Sequence, residues 1–161
     1  MPCNLYTLRP ADTRDRPHLT RVYASTRTEE LARTNWTQEQ KDSFVLMQFE
    51  AQDAHYRAHY DGAHYMVIEV EGSPAGRLYL HWRDEELRIM DIALLPEFRA
   101  RGVGSSVLRE LMAKASRSGR RTSIHVEKFN PAMRLYERLG FVPVSDRGVY
   151  LLMEHQPNTA P

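Results

Sequence analysis

Residues 92–105, Ile-Ala-Leu-Leu-Pro-Glu-Phe-Arg-Ala-Arg-Gly-Val-Gly-Ser, are the first whose types and spacing could do chemistry. An alternating run ends near Leu95, and a strongly amphipathic helical pattern opens at Gly102, with Val107, Leu108, Leu111 and Met112 on one face. A strand-to-helix junction gathers unpaired backbone N–H groups, and the helix dipole favours an anion at the same end. Gly102 and Gly104 remove side chains where a pyrophosphate would lie against the backbone, while Arg99 and Arg101 could add charge-assisted hydrogen bonds. The segment lacks the Gly-Lys-Ser/Thr of a nucleotide P-loop and opens no dinucleotide-binding βαβ unit, which disfavours ATP and NAD. Taken alone, it is equally well a helix start with two flexible glycines.

The elements around this junction follow from periodicity. Residues 4–9 alternate as a short strand, and Pro10-Ala11-Asp12 opens a helix carrying Leu19, Val22, Tyr23 and Thr26. A second helix spans residues 37–60 and stops at Asp61-Gly62. The period then changes to two: residues 64–71, 75–82 and 87–95 read as strands joined by short turns, an antiparallel meander. The helix at 102–117 leads to a strand at 122–126 and a short helix at 130–139, closed by Gly140 and with Asn130 as its N-cap by residue type. Residues 141–144 and 148–154 read as two closing strands. One domain is expected over residues 1–155, with a disordered tail at 156–161.

Length and composition narrow the classes. The 161 residues suit one domain with its own core, and 42% hydrophobic with 27% charged residues is ordinary for a soluble globular chain. Lys and Arg number 22 against 21 Asp and Glu, so no basic excess points to nucleic acid. Cys3 is the only cysteine. It excludes an intramolecular disulfide, suits a reducing compartment, and lies too close to the N-terminus for a catalytic thiol. Neither a signal peptide nor an apolar run of the ~20 residues that span a bilayer is present, and a cytoplasmic location is expected.

A second motif follows at residues 130–141, Asn-Pro-Ala-Met-Arg-Leu-Tyr-Glu-Arg-Leu-Gly-Phe. Together with Arg99-x-x-Gly102-x-Gly104, it resembles the GCN5-related N-acetyltransferase (GNAT) superfamily. That family shows Arg/Gln-x-x-Gly-x-Gly/Ala and then Asn-x-x-Ala-x-x-Leu-Tyr-x-x-x-Gly-Phe, in this order with a strand between. The specific resemblance covers residues 87–141. It implies an α/β fold of the α+β type: a mixed, mostly antiparallel sheet of about seven strands, splayed into a V and flanked by about four helices. It further implies acetyl-CoA as cosubstrate and no metal. In the family pattern the backbone of Ile92, Ala93 and Leu94 pairs with pantetheine. The amides of Ala100, Arg101, Gly102, Val103, Gly104 and Ser105 hold the pyrophosphate with help from Arg99, and Asn130 sits near the coenzyme.

Acetyl transfer from a thioester to an amine needs a neutral amine, a stabilised oxyanion and a protonated leaving thiolate. Deprotonating an alkylamine of pKa ~10.4 at pH 7 costs about 4.6 kcal/mol, against about 1 kcal/mol for a peptide α-amine near ~7.8. The resemblance makes Tyr136 the general acid at the coenzyme sulfur, with a core role on its helix as the alternative. A backbone N–H near Leu94 is the expected oxyanion donor. For the base two residues remain open. Asp91 stands where polyamine acetyltransferases of this family carry an acid, and His125 where the ribosomal-protein alanine acetyltransferases carry a Glu. Arg88 occupies the position of the histone-type catalytic Glu, which counts against that mechanism. His55 and His59, one helical turn apart, read as an amphipathic helix end rather than metal ligands. Trp36, Tyr56, Tyr60, His81 and Trp82 are candidates for the amine pocket.

The leading expectation is an enzyme acetylating a primary amine of a small molecule. The alternatives are a protein N-terminal or lysine acetyltransferase, and a non-catalytic acyl-CoA-binding regulator. A homodimer is compatible with the family pattern.

Overall fold

An antiparallel meander forms the first half of the sheet: β1 (Thr7–Pro10), β2 (His64–Val70), β3 (Ser73–Trp82) and β4 (Glu86–Leu94). A computed structural model describes residues 5–158. The β2–β3 turn is made by Glu71 (φ 53°) and Gly72 (φ 78°), the left-handed pair that a two-residue hairpin demands. Before β2 lie the helices α1 (Arg16–Ser25), α2 (Thr28–Ala32) and α3 (Gln38–His59). After β4 come α4 (Val103–Arg117), β5 (Arg121–Glu127), α5 (Met133–Arg138), β6 (Val142–Arg147) and β7 (Tyr150–His155). The seven strands form one sheet in the order β1-β2-β3-β4-β5-β7-β6. The β4–β5 pair is parallel, because α4 carries the chain back across the sheet between them.

Each face has its own core. Val107, Leu108, Leu111 and Met112 of α4 pack with Leu78, Leu80, Leu87, Ile89 and Ile124 on one side. On the other, Leu19 and Tyr23 of α1, Leu31 of α2 and Val45 and Phe49 of α3 pack around Tyr79. Burial of each such aliphatic or aromatic side chain contributes about 1.5–3 kcal/mol.

The feature that builds a site is the early end of β4–β5 pairing. The two strands pair only from Glu86↔Arg121 to Ile89↔Ile124 and then part. On its other edge β4 carries a bulge, since Leu80 pairs with Ile89 and Tyr79 with Asp91, leaving Met90 extra. A bulge bends its strand and strengthens the local twist, here at the level where β4 leaves β5. This is the V that the sequence resemblance implied.

Several expectations are corrected in detail. The five α-helices among the described residues include α2, which the sequence reading left unassigned. The first helix begins at Arg16 rather than at Asp12, because Asp12 caps a separate 3-10 turn over Thr13–Asp15. The short helix after β5 begins at Met133, so Asn130 is not its N-cap residue; its Oδ1 instead accepts from the Ala132 N–H (2.8 Å) in a turn leading into α5. Residues 1–4 and 159–161, which include Cys3, the first residue of the expected strand and the end of the expected tail, lie outside the described residues.

Candidate active site

Beyond the last parallel pair, the facing edges of β4 and β5 no longer satisfy one another. Leu95 donates its N–H to Ala75 on the β3 side (2.8 Å). Backbone N–H groups alternate edges along a strand, so those of Ile92 and Leu94 turn toward the opening. Ala93, in register with Arg77, turns toward β3. The Leu94 carbonyl accepts from Arg99 Nε (2.9 Å), which folds Arg99 back onto the strand, with Nη2 reaching Ser25 Oγ (3.4 Å).

The loop that follows is a concave array of amides. Ala100 (φ 61°) and Gly102 (φ 82°) are both left-handed, a backbone shape that turns successive N–H groups toward one point. Among the described residues, none of the amides of Ala100, Arg101, Gly102, Val103, Gly104 and Ser105 has a backbone or side-chain acceptor; the first bond of the α4 ladder runs from Ser106 N–H to the Gly102 carbonyl (3.0 Å). Gly102 is required by its φ. Gly104 is not: a Cβ there would meet only Leu94 Cδ1, at 3.9 Å. Nothing within the fold asks for glycine at 104, so its bare backbone suits something arriving from outside.

Because of the bulge, Met90 and Asp91 both face the α3 side, where Met90 joins the Tyr79 core and Asp91 pairs with Tyr79 in register. Asp91 Oδ2 is buried in an ion pair with Arg77 of β3. Arg77 is 2% exposed, donates to Gln52 Oε1 (2.9 Å) and lies over the rings of Tyr79 and Tyr23. Burial opposes its charge, but Asp91 and the neighbouring tyrosines outweigh that and raise its pKa. The Asp91 side chain is still 25% exposed, while its Oδ2 is buried, so Oδ1 is the oxygen open to solvent.

Tyr136 of α5 approaches from the other face of the sheet, edge-on to Phe141 at 5.8 Å. It is 5% exposed, and burial first and the Asp91 charge second push its phenol up to about 12. A tyrosine held so is a full proton donor at neutral pH. The Asp91 charge thus bears on the Tyr136 phenol near the level where β4 leaves β5, although the two side chains come from opposite faces of the sheet.

His125 sits on β5 one residue past the last pair with β4, exposed and on the α3 side. Its Nδ1 accepts from Arg88 Nη1 (3.1 Å), and Arg88 Nε donates to Ser123 Oγ (2.8 Å). Burial, then Arg88 and Arg147, lower its pKa from the ordinary imidazole value. Tyr56, Tyr60 and His81 line the same face, Tyr56 donating to the Met90 carbonyl (3.4 Å) and Tyr60 meeting His81 edge-on at 5.5 Å. Trp82 lies on the opposite face beneath Lys114 and Arg120, which removes it from the amine-pocket candidates. Trp36 packs on Phe44 at the start of α3, beside a surface depression of about 400 Å³ that includes none of Asp91, His125 or Tyr136. His55 and His59 stack at 4.4 Å, and among the described residues no group of three or more His, Cys, Asp or Glu side chains converges as metal ligands. Among the described residues no helix is long and apolar enough to cross a membrane.

Two charged neighbours of the candidate residues carry no motif in the sequence, Arg77 beside Asp91 and Arg147 near His125. Arg77 shares strand phase with buried Ala75 and Tyr79, the one signal that could have marked it as inward.

The family comparison agrees with this geometry. A family description for acetyltransferases of the GNAT type matches residues 23–141, from the end of α1 through Tyr136 to Phe141. The chain belongs to the acetyltransferase (GNAT) family. A Bacillus subtilis (strain 168) protein, named as a candidate ribosomal protein bS18-alanine N-acetyltransferase, is 33% identical over 90 residues; the match covers 55% of this chain and 60% of that protein. The PaiA N-acetyltransferase of Thermoplasma acidophilum, solved in complex with coenzyme A, shares the fold with a TM-score of 0.71 at 15% identity, over 94% of this GNAT chain and 98% of its own. The ribosomal-protein-S18-alanine N-acetyltransferase of Escherichia coli superposes with a TM-score of 0.63 at 18% identity, over 97% and 96% of the two chains.

Proposed function

We propose that this GNAT chain transfers an acetyl group from acetyl-CoA to a primary amine, with a small molecule as acceptor. The observation that carries the reading is the run of six amides without acceptors beyond the parting of β4 and β5, with Asp91 on the strand that leads into it and its charge bearing on the buried Tyr136 phenol. The donor fits the residues present: Ile92 and Leu94 offer N–H groups along its arm, and the amides of residues 100–105, with Gly104 bare, suit its pyrophosphate. When bound, it supplies an activated acetyl thioester.

The chain's own groups have distinct tasks. The Leu94 N–H, on the open edge, stabilises charge developing on the carbonyl oxygen. Tyr136 donates its proton to the departing sulfur, and desolvation keeps that proton on the phenol until it is needed. Asp91 Oδ1 attracts the acceptor's ammonium and receives the proton it must lose, while Arg77 holds the other oxygen in place. Arg99 and Asn130 fix the loops that frame the donor, through the Leu94 carbonyl and the Ala132 N–H.

A second reading, acetylation of a protein N-terminus, draws on the 33% identity to the bS18-alanine N-acetyltransferase candidate. Thiol release from acetyl-CoA over a panel of small amines and N-terminal peptides separates the two. Release with small amines supports the first reading and release with peptides alone the second. Tight acetyl-CoA binding without release for any amine leaves the regulator.

A further inference from the structure

The guanidinium of Arg88 has donors only. Its 3.1 Å contact with His125 Nδ1 therefore makes that nitrogen the acceptor, and a neutral imidazole that accepts at Nδ1 carries its proton at Nε2. The free nitrogen of His125 is thus a donor. Protonating the ring would put an N–H against Arg88, and burial first, then the charges of Arg88 and Arg147, already disfavour the cation.

The same sheet face continues across β7 to β6. His125 is in register with Leu152, Leu152 with Ser145, and Tyr150 with Arg147, so these side chains share the face that His125 occupies. Arg147 Nε donates to Ser145 Oγ (2.9 Å), which lays the guanidinium along the strand pair. The carboxylates nearby are already matched. Glu86 pairs with Arg83, Arg88 and Arg121, Glu154 with Arg121, and Glu127 with Arg27. Asp146 pairs with Lys128. Among the described residues Arg147 has no carboxylate partner, and β6 to β5 is about 10 Å across two strand spacings, within reach of a long side chain.

We infer that His125 is a hydrogen-bond donor of the acceptor site rather than its base, and that with Arg147 it forms a subsite for a carboxylate carried by the amine acceptor. The substrate class is then an amino acid, its amine at Asp91 and its carboxylate between His125 Nε2 and the Arg147 guanidinium. This rests on the acetyltransferase reading above and goes beyond it by naming the second functional group of the substrate.

The test has two arms. In the first, ¹⁵N NMR of the imidazole of His125, in the full chain at neutral pH, reads the tautomer. The expected pattern is a protonated Nε2 and an unprotonated Nδ1; the reverse pattern overturns the inference. In the second, thiol release is compared for amino acids, β-alanine and 4-aminobutanoate against their carboxamides. The wild-type preference in kcat/KM for the carboxylate is expected to exceed tenfold and to fall at least tenfold in Arg147→Ala. His125→Gln, which keeps a donor near the Nε2 position, is expected to raise KM for carboxylate acceptors by a larger factor than it lowers kcat. A loss of kcat of a hundredfold or more in His125→Gln, for carboxylates and carboxamides alike, identifies a base and overturns the inference, as does equal use of both acceptor types. Turnover with no amine at all rejects the acetyltransferase reading and this subsite with it, whereas turnover of carboxamides or polyamines alone rejects the subsite and leaves that reading standing.

Discussion

Gly76 of β3 stands against the backbone of Ala93 on β4 with no space for a side chain: a Cβ at 76 would overlap the Ala93 carbonyl oxygen and crowd Leu94. The Gly76 carbonyl is also held, by His18 of α1 through Nε2 (3.1 Å). Strand β4 therefore reaches the cleft from a tightly fixed position.

Gly76→Ala is expected to be strongly destabilising, because the obstacle is backbone and cannot rotate away. Overpacking of this kind costs about 3 kcal/mol or slightly less, which lowers the melting temperature of a domain this size by about 6–12 °C. A thermal melt checks it.

Gly104→Ala separates fold from ligand. The protein has room for the methyl, and alanine is favoured over glycine in a helix by about 0.5–1 kcal/mol, so the melting temperature should hold or rise. Acetyl-CoA affinity by calorimetry should fall at least tenfold, since the methyl would occupy the surface proposed for the pyrophosphate. Unchanged affinity would remove residue 104 from the donor site.

Tyr136→Phe should lower kcat by roughly 10²–10⁴, the range of a lost general acid, with acetyl-CoA binding little changed. Its pH signature has a defined sign. The phenol is raised from 10.0 to about 12 on folding, so its contribution is complete below pH 10 and is lost as pH climbs through about 12. That is about 3 kcal/mol over the window. Denaturant melts between pH 10 and 12 should show a slope shallower by one proton in the variant.

Asp91→Asn leaves Arg77 buried beside a neutral partner, and breaking such a pair costs about 3–5 kcal/mol. Adding Arg77→Met should restore much of that stability without restoring turnover. Recovery of both in the double variant would mean that Asp91 serves the fold alone.

Most of the architecture is legible in the sequence because the relevant signals are local. The Glu71-Gly72 turn, the alternation of residues 64–95 and the apolar face of α4 each reveal themselves within a few residues. The same holds for the strand-to-helix junction, where Gly102 supplies the left-handed residue just before α4. Asp12 misled the reading of α1, since its capping serves a 3-10 turn that only then passes into helix at Arg16-Pro17. The short helix α2 is five residues long, below the span over which helical periodicity can be read. Arg77 stayed hidden for a different reason: a charged residue in a strand is ordinarily solvent-facing, and its partner Asp91 is on another strand, in phase only because Met90 bulges. Trp82 was misplaced because an aromatic residue gives no sign of which sheet face it occupies. The Arg88–His125 contact crosses from one strand to its parallel neighbour, a register that no single segment contains.

The β4–β5 pairing that stops at Ile89 and Ile124 leaves the sheet unfinished along that seam, and a donor bound as proposed would complete it in the manner of a missing rung. Whatever binds there also counts toward folding: at a free concentration a hundred times its dissociation constant, a ligand adds about 2.7 kcal/mol to the stability of the folded state. A coenzyme bound as proposed would then act as a scaffold for this chain as well as a source of acetyl groups.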